Sequence, residues 1–162
     1  MTMQEYREQA ELRVEALNHA LRGIPEERVR HHVCWGGGKV PRTGDIPLRD
    51  AVDIILNVHA QAFCIEASTV RHQHEWKVWQ EVKIPQDKFL IPGVVANATN
   101  IVEHPELIAD RIVQYANLVG RENVVAGTDC GLGGRLHPEI VWAKFEAMVE
   151  GAELATKRLW GR

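Results

Sequence analysis

The stretch "FLIPGVVANATNIVEHPELIADRIVQYANLVG", Phe89 to Gly120, decides the fold. Its first ten residues, Phe89 to Ala98, are a mostly apolar run with β-branched and aromatic members, which reads as a strand. From Glu103 the pattern changes to a helix, with Pro105 near its start and Gly120 just past its end. The stretch is therefore one complete strand–helix unit, and the sequence on either side repeats it.

Upstream, "AFCIEAS", Ala62 to Ser68, is a strand, and the polar "RHQHEWKVWQEV" after it holds a short helix. Before that, a strand ends near Cys34 and gives way to the breaker-rich loop "GGGKVPRTGD". Thr43 or Asp45 can cap, and Pro47 can open, a helix whose apolar face is Leu48, Val52, Ile55 and Leu56. Downstream, "NVVAGTDCGL" is the fourth strand. The last helix, "HPEIVWAKFEAMVEGAELATKRLW", carries Val141, Phe145, Met148, Ala152 and Ala155 on one face. An amphipathic helix at about 3–22, with Tyr6, Ala10, Val14, Leu17 and Leu21 on its face, precedes the repeats and stops at Gly23–Pro25.

Strands and helices alternating at steps of roughly thirty residues imply an α/β fold with parallel strands and right-handed crossovers. No composition break divides the chain, so residues 1–162 read as one domain. Four strands fit either an open sheet or four consecutive units of a (β/α)8 barrel, whose full length is about 250 residues. Period alone does not choose between them.

Composition narrows the function. The 162 residues are 45% hydrophobic and 25% charged with a net charge of -3, and no Lys/Arg cluster offers a nucleic acid or anionic membrane a binding face. No apolar run reaches the ~20 residues of a membrane span, and the charged start "MTMQEYREQAELR" lacks the apolar core of a secretory signal. A cytoplasmic protein is the expectation. Its three cysteines, Cys34, Cys64 and Cys130, are then thiols, metal ligands or core fillers.

Chemistry in parallel α/β folds gathers at the carboxyl ends of the strands. There the first strand offers His32 and Cys34, two apart and so on one face, the second Cys64 and Glu66, and the fourth Asp129 and Cys130. An inward Glu66 among apolar neighbours is costly unless paired or bound to a metal. Zinc fits the set His32, Cys34, Glu66 and Cys130, since it takes sulfur, imidazole nitrogen and carboxylate oxygen tetrahedrally. The long intervals between them suit ligands on separate strands of one sheet. Each residue also has an ordinary reading: a hydrogen-bonded strand histidine for His32, buried thiols for Cys34 and Cys130, and core filler for Cys64. His104-Pro105 and His137-Pro138 can be helix-start punctuation, and Trp35 can wall a pocket or pack on the turn at Gly36 to Gly38.

The motifs "HVCW", "IEAS", "IPGVV" and "GTDCGL", in this order, resemble the carboxyl-terminal catalytic domain of cobalamin-independent methionine synthase and its relatives, including epoxyalkane:coenzyme M transferase. The resemblance runs from about Val29 to the end. It implies a (β/α)8 barrel, a Zn2+ cofactor, and the ligands His32, Cys34, Glu66 and Cys130, the same four that strand placement selects. It also implies a zinc-dependent thiol alkyl- or methyltransferase, in which zinc makes a small thiol, homocysteine or a coenzyme M-like molecule, nucleophilic toward an alkyl donor. Alternatives within the resemblance are a hydroxyalkyl-coenzyme M lyase and a non-catalytic zinc-binding or assembly fragment.

Two departures qualify it. The family's proton-donating histidine aligns with Ala98 and a nearby aspartate with Ala96, which speaks against a folate methyl donor; His72, His74 and His104 are the histidines left to take the role. The match also corresponds to strands five to eight, so a homodimer or a partner chain is expected to complete the barrel, the alternative being a fragment of a longer reading frame, with the leading helix being the one that follows strand four.

Overall fold

A computed structural model describes residues 2–36 and 44–161. Four strands, β1 (Arg30–Val33), β2 (Ala62–Ile65), β3 (Phe89–Val95) and β4 (Gly127–Thr128), pair in parallel in the order β1-β2-β3-β4. The helices are α1 (Met3–Ala20), α2 (Val52–Leu56), α3 (Val78–Glu81), α4 (Pro105–Val119) and α5 (Pro138–Trp160). Strand order settles the architecture. A doubly wound sheet reverses its order at a switch point, whereas each strand here lies beside the one before it, as staves do in a barrel.

Face parity agrees. Residues level across parallel strands share a face, and the register sets His31 beside Phe63 and Phe63 beside Leu90. Phe63 and Leu90 are fully buried in a cluster with Val52 and Ile55 of α2, Val78 and Trp79 of α3 and Tyr115 of α4. The opposite face sets His32 level with Cys64 and Cys64 with Ile91. Arg30 and His32 are exposed there, because no described helix covers that side. The fold is thus half of a (β/α)8 barrel, with its core between sheet and helices and its inner face open.

The elements differ locally from their sequence patterns. β2 stops at Ile65 and β3 at Val95, and β4 keeps two residues, with a register shift between Gly93 and Val95 and a separate bridge from Leu90 to Val124. The expected helix over Leu48 to Leu56 splits into a 3-10 turn, Leu48–Asp50, and α2. Asp45 caps neither piece, because its carboxylate faces His72 and Arg71; Thr43 and Gly37–Gly38 lie outside the described residues.

Of the expected face of α5 only Ala155 is fully buried. The buried face is Lys144, Ala147, Gly151 and Ala155, while Val141, Phe145, Met148 and Ala152 flank it half-buried. The reason is close approach to α4: a Cβ on Gly151 would stand 2.6 Å from Ile108 Cβ and 2.9 Å from the Pro105 carbonyl. Small residues spaced by four make this contact, and the larger ones pack around it.

Candidate metal centre

β1 leads into Cys34 and β4 into Asp129 and Cys130, so chain positions 96 residues apart meet at one end of the sheet. One ligand atom each from His32, Cys34 and Cys130 lie within 4.8 Å of one another. The two sulfurs are 3.5 Å apart. Around tetrahedral zinc, with Zn–S near 2.3 Å, two sulfurs would stand about 3.8 Å apart, so spacing and donor chemistry both fit that ion. Burial, partly offset by a Gly36 backbone hydrogen bond, pushes the Cys34 thiol above its ordinary pKa, as does neighbouring Cys130. A cation entering the group therefore has to displace a proton.

Asp129 fixes Cys130. Its carboxylate is fully buried and accepts hydrogen bonds from the backbone N–H groups of Ala67 (2.7 Å), Ser68 (2.8 Å) and Thr69 (2.9 Å) and from the Ser68 hydroxyl (2.7 Å). These bonds tie the end of β4 to the chain leaving β2, with β3 in between. The crossing requires Gly93: a Cβ there would lie 2.0 Å from Asp129 Oδ1. The glycine of "IPGVV" and the aspartate of "GTDCGL" are therefore one device. Sequence reasoning placed Asp129 at the strand end but gave it no role.

Glu66 lies outside the three-residue group. It is 1% exposed, and the carboxylate is held by other partners: Oε2 accepts from the Trp35 backbone N–H (3.1 Å), and Oε1 accepts from the Thr69 hydroxyl (3.2 Å) and stands 3.6 Å from Arg71. Arg71 is also 3.6 Å from Asp45. Beyond it lies a network that sequence reasoning missed. His72, 3% exposed, sits between Glu75 at Nδ1 (2.9 Å) and Asp45 at Nε2 (3.2 Å), and stacks on the Trp35 ring at 4.5 Å between centroids. Burial lowers the His72 pKa, but the hydrogen bond and charge of Glu75, with Glu66 and Asp45, outweigh it and leave the imidazole above its ordinary value. The available signal was "RHQHEW", which supplies Arg71, His72 and Glu75 within five positions.

The remaining candidates fall elsewhere. Cys64 is not core filler: it is half-buried on the open face, level with His32. His104 and His137 are helix caps, their Nδ1 atoms accepting from Glu106 and Glu139. His74 is exposed and lines a 250 Å³ cleft with Arg71 and His72. After β3, Ala96 donates its N–H to Glu103, which pairs with the buried Lys144 at 2.8 Å. No described helix is long and apolar enough to cross a membrane.

The fold and site define a half-barrel α/β domain with a thiol–imidazole group at its strand ends, and comparison with known proteins is more specific. Residues 27–154 match the family described as the catalytic domain of cobalamin-independent synthase, and the chain belongs to that family. Among solved structures, it is similar to a B12-independent methionine synthase from Shewanella sp. W3-18-1, determined in complex with selenomethionine. The TM-score is 0.74 at 19% identity, over 92% of this chain and 44% of that one, so the chain spans less than half the length of that synthase. No curated protein matches.

Proposed function

We infer that this chain is the zinc-bearing half of a thiol alkyltransferase of the cobalamin-independent methionine synthase type. The observation that carries the reading is the convergence of His32, Cys34 and Cys130 at the strand ends of a chain of this family. These three residues would hold the ion, and Glu66 is the candidate fourth ligand, available once its carboxylate leaves the Trp35 N–H. Bound there, zinc would supply a thiol substrate with an anionic sulfur at neutral pH.

The chain's own residues do the rest. Asp129 fixes the position of Cys130, and the open inner face leaves His32 accessible to a small thiol. Ala98, where the family's histidine would stand, has no proton to give. This favours an alkyl donor whose leaving group needs no acid from that position over a folate. The inner face and the edge strands β1 and β4, uncovered among the described residues, are the surfaces a second copy or a separate half-barrel would cover.

Metal analysis of the purified chain tests the site: about one zinc per chain is expected, and less than a tenth of that in Cys34→Ser and Cys130→Ser. Undiminished zinc in both variants would refute it. Thiol consumption with homocysteine or coenzyme M and an alkyl donor, with and without a complementary half-barrel chain, tests the activity. Zinc binding without thiol consumption in any combination refutes catalysis.

A further inference from the structure

The His72 network meets the candidate metal centre at Trp35, on which His72 stacks, and at Arg71, which stands 3.6 Å from both Asp45 and Glu66. The Trp35 indole is fixed on both sides: Nε1 donates to the Ile46 carbonyl at 2.6 Å, and the ring stacks on His72 with an interplanar angle of 26°. His72 is itself held at both nitrogens by Asp45 and Glu75, and Glu75 is held by the Leu48 N–H at 2.7 Å. Trp35 follows Cys34 directly, and its own N–H holds Glu66. Fixing this one indole therefore fixes the peptide carrying one candidate ligand and, through its N–H, one carboxylate oxygen of another, whose second oxygen is held by Thr69.

Buried polar groups hold a fixed arrangement only when each is paired, and here His72 is bonded at both ring nitrogens while its face packs on Trp35. We propose that the Asp45–His72–Glu75 bridge is a positioning clamp for the metal centre, which acts through Trp35 to set the placement of Cys34 and of the Glu66 carboxylate beside the His32–Cys34–Cys130 group. His72 is thus a positioning residue and touches neither metal nor substrate. The inference rests on the zinc reading for its consequence but not for its geometry, and the two are tested separately.

The test uses ¹⁵N-labelled chain and His72→Phe, which keeps a stacking ring and removes both hydrogen bonds. Asp45→Ala, which removes one, serves if the first variant does not fold. In metal-free protein the Trp35 amide is expected to exchange at least tenfold faster in His72→Phe, while the Ala67, Ser68 and Thr69 amides bonded to Asp129 keep their protection. A merely structural loss would speed all four together. In Zn2+ titrations against a competing chelator, the variant is expected to bind about tenfold more weakly, the usual size of an outer-shell effect. An unchanged Trp35 amide, or equal acceleration of all four, overturns the clamp whatever the metal does. If the wild type takes up no Zn2+, the metal reading fails, and a selective Trp35 response still establishes the clamp on Glu66.

Discussion

Asp129 collects three backbone N–H groups and a hydroxyl on one carboxylate, across a strand kept clear by Gly93. Removing a buried acceptor strands its donors, at a cost of about 1–3 kcal/mol for each group left unpaired. Asp129→Ala is therefore expected to lose at least about 3 kcal/mol in urea unfolding, and Gly93→Ala to lose stability through the same contact. A loss under about 1 kcal/mol in Asp129→Ala would show that the crossing is not needed. His72 makes a prediction in pH. Its folded pKa lies above the ordinary imidazole value, so its stabilisation is complete below that value, near 6.5, and is lost as pH rises through the folded pKa. The urea midpoint of metal-free protein should fall over this window, and the fall should be smaller in His72→Phe. At this scale the sequence marked the thiols and His32 by their place at strand ends. The partner of Glu66 was not legible, because parity assigns a side chain to a face without saying which neighbour reaches it first.

Helix ends were legible where a local rule governs them. His104-Pro105 and His137-Pro138 open α4 and α5 as side-chain caps followed by proline. Helix faces were less so: periodicity weights large apolar residues, whereas α5 meets α4 through Ala147, Gly151 and Ala155. Gly151→Ala weighs two effects. Replacing glycine within a helix gains about 0.5–1 kcal/mol, and forcing a methyl against Ile108 and the Pro105 carbonyl costs about 1–3 kcal/mol. A net loss is expected by thermal or urea unfolding, larger still for Gly151→Leu. A stabilised Gly151→Ala would mean that the two helices separate without cost.

The alternation of strands and helices fixed the class of the whole molecule, but the order of strands is a long-range property that no local period encodes. Sequential order with helices on one side makes a half-barrel, and the likeness to the Shewanella synthase extends over 44% of that chain. Among the described residues β1 and β4 are edge strands and no helix covers the inner face, an arrangement that favours association. Light scattering is expected to show a dimer, or a complex when a complementary half is supplied; a well-folded monomer that ignores such a half would contradict the pairing. The central claim is that the strand ends of this half-barrel hold zinc through two thiolates and an imidazole. Zinc-edge X-ray absorption on the metal-loaded chain tests it directly. Two sulfur scatterers near 2.3 Å are expected, with the remaining nitrogen or oxygen at about 2.0–2.2 Å, whereas a shell of nitrogen and oxygen alone would contradict the thiolate site.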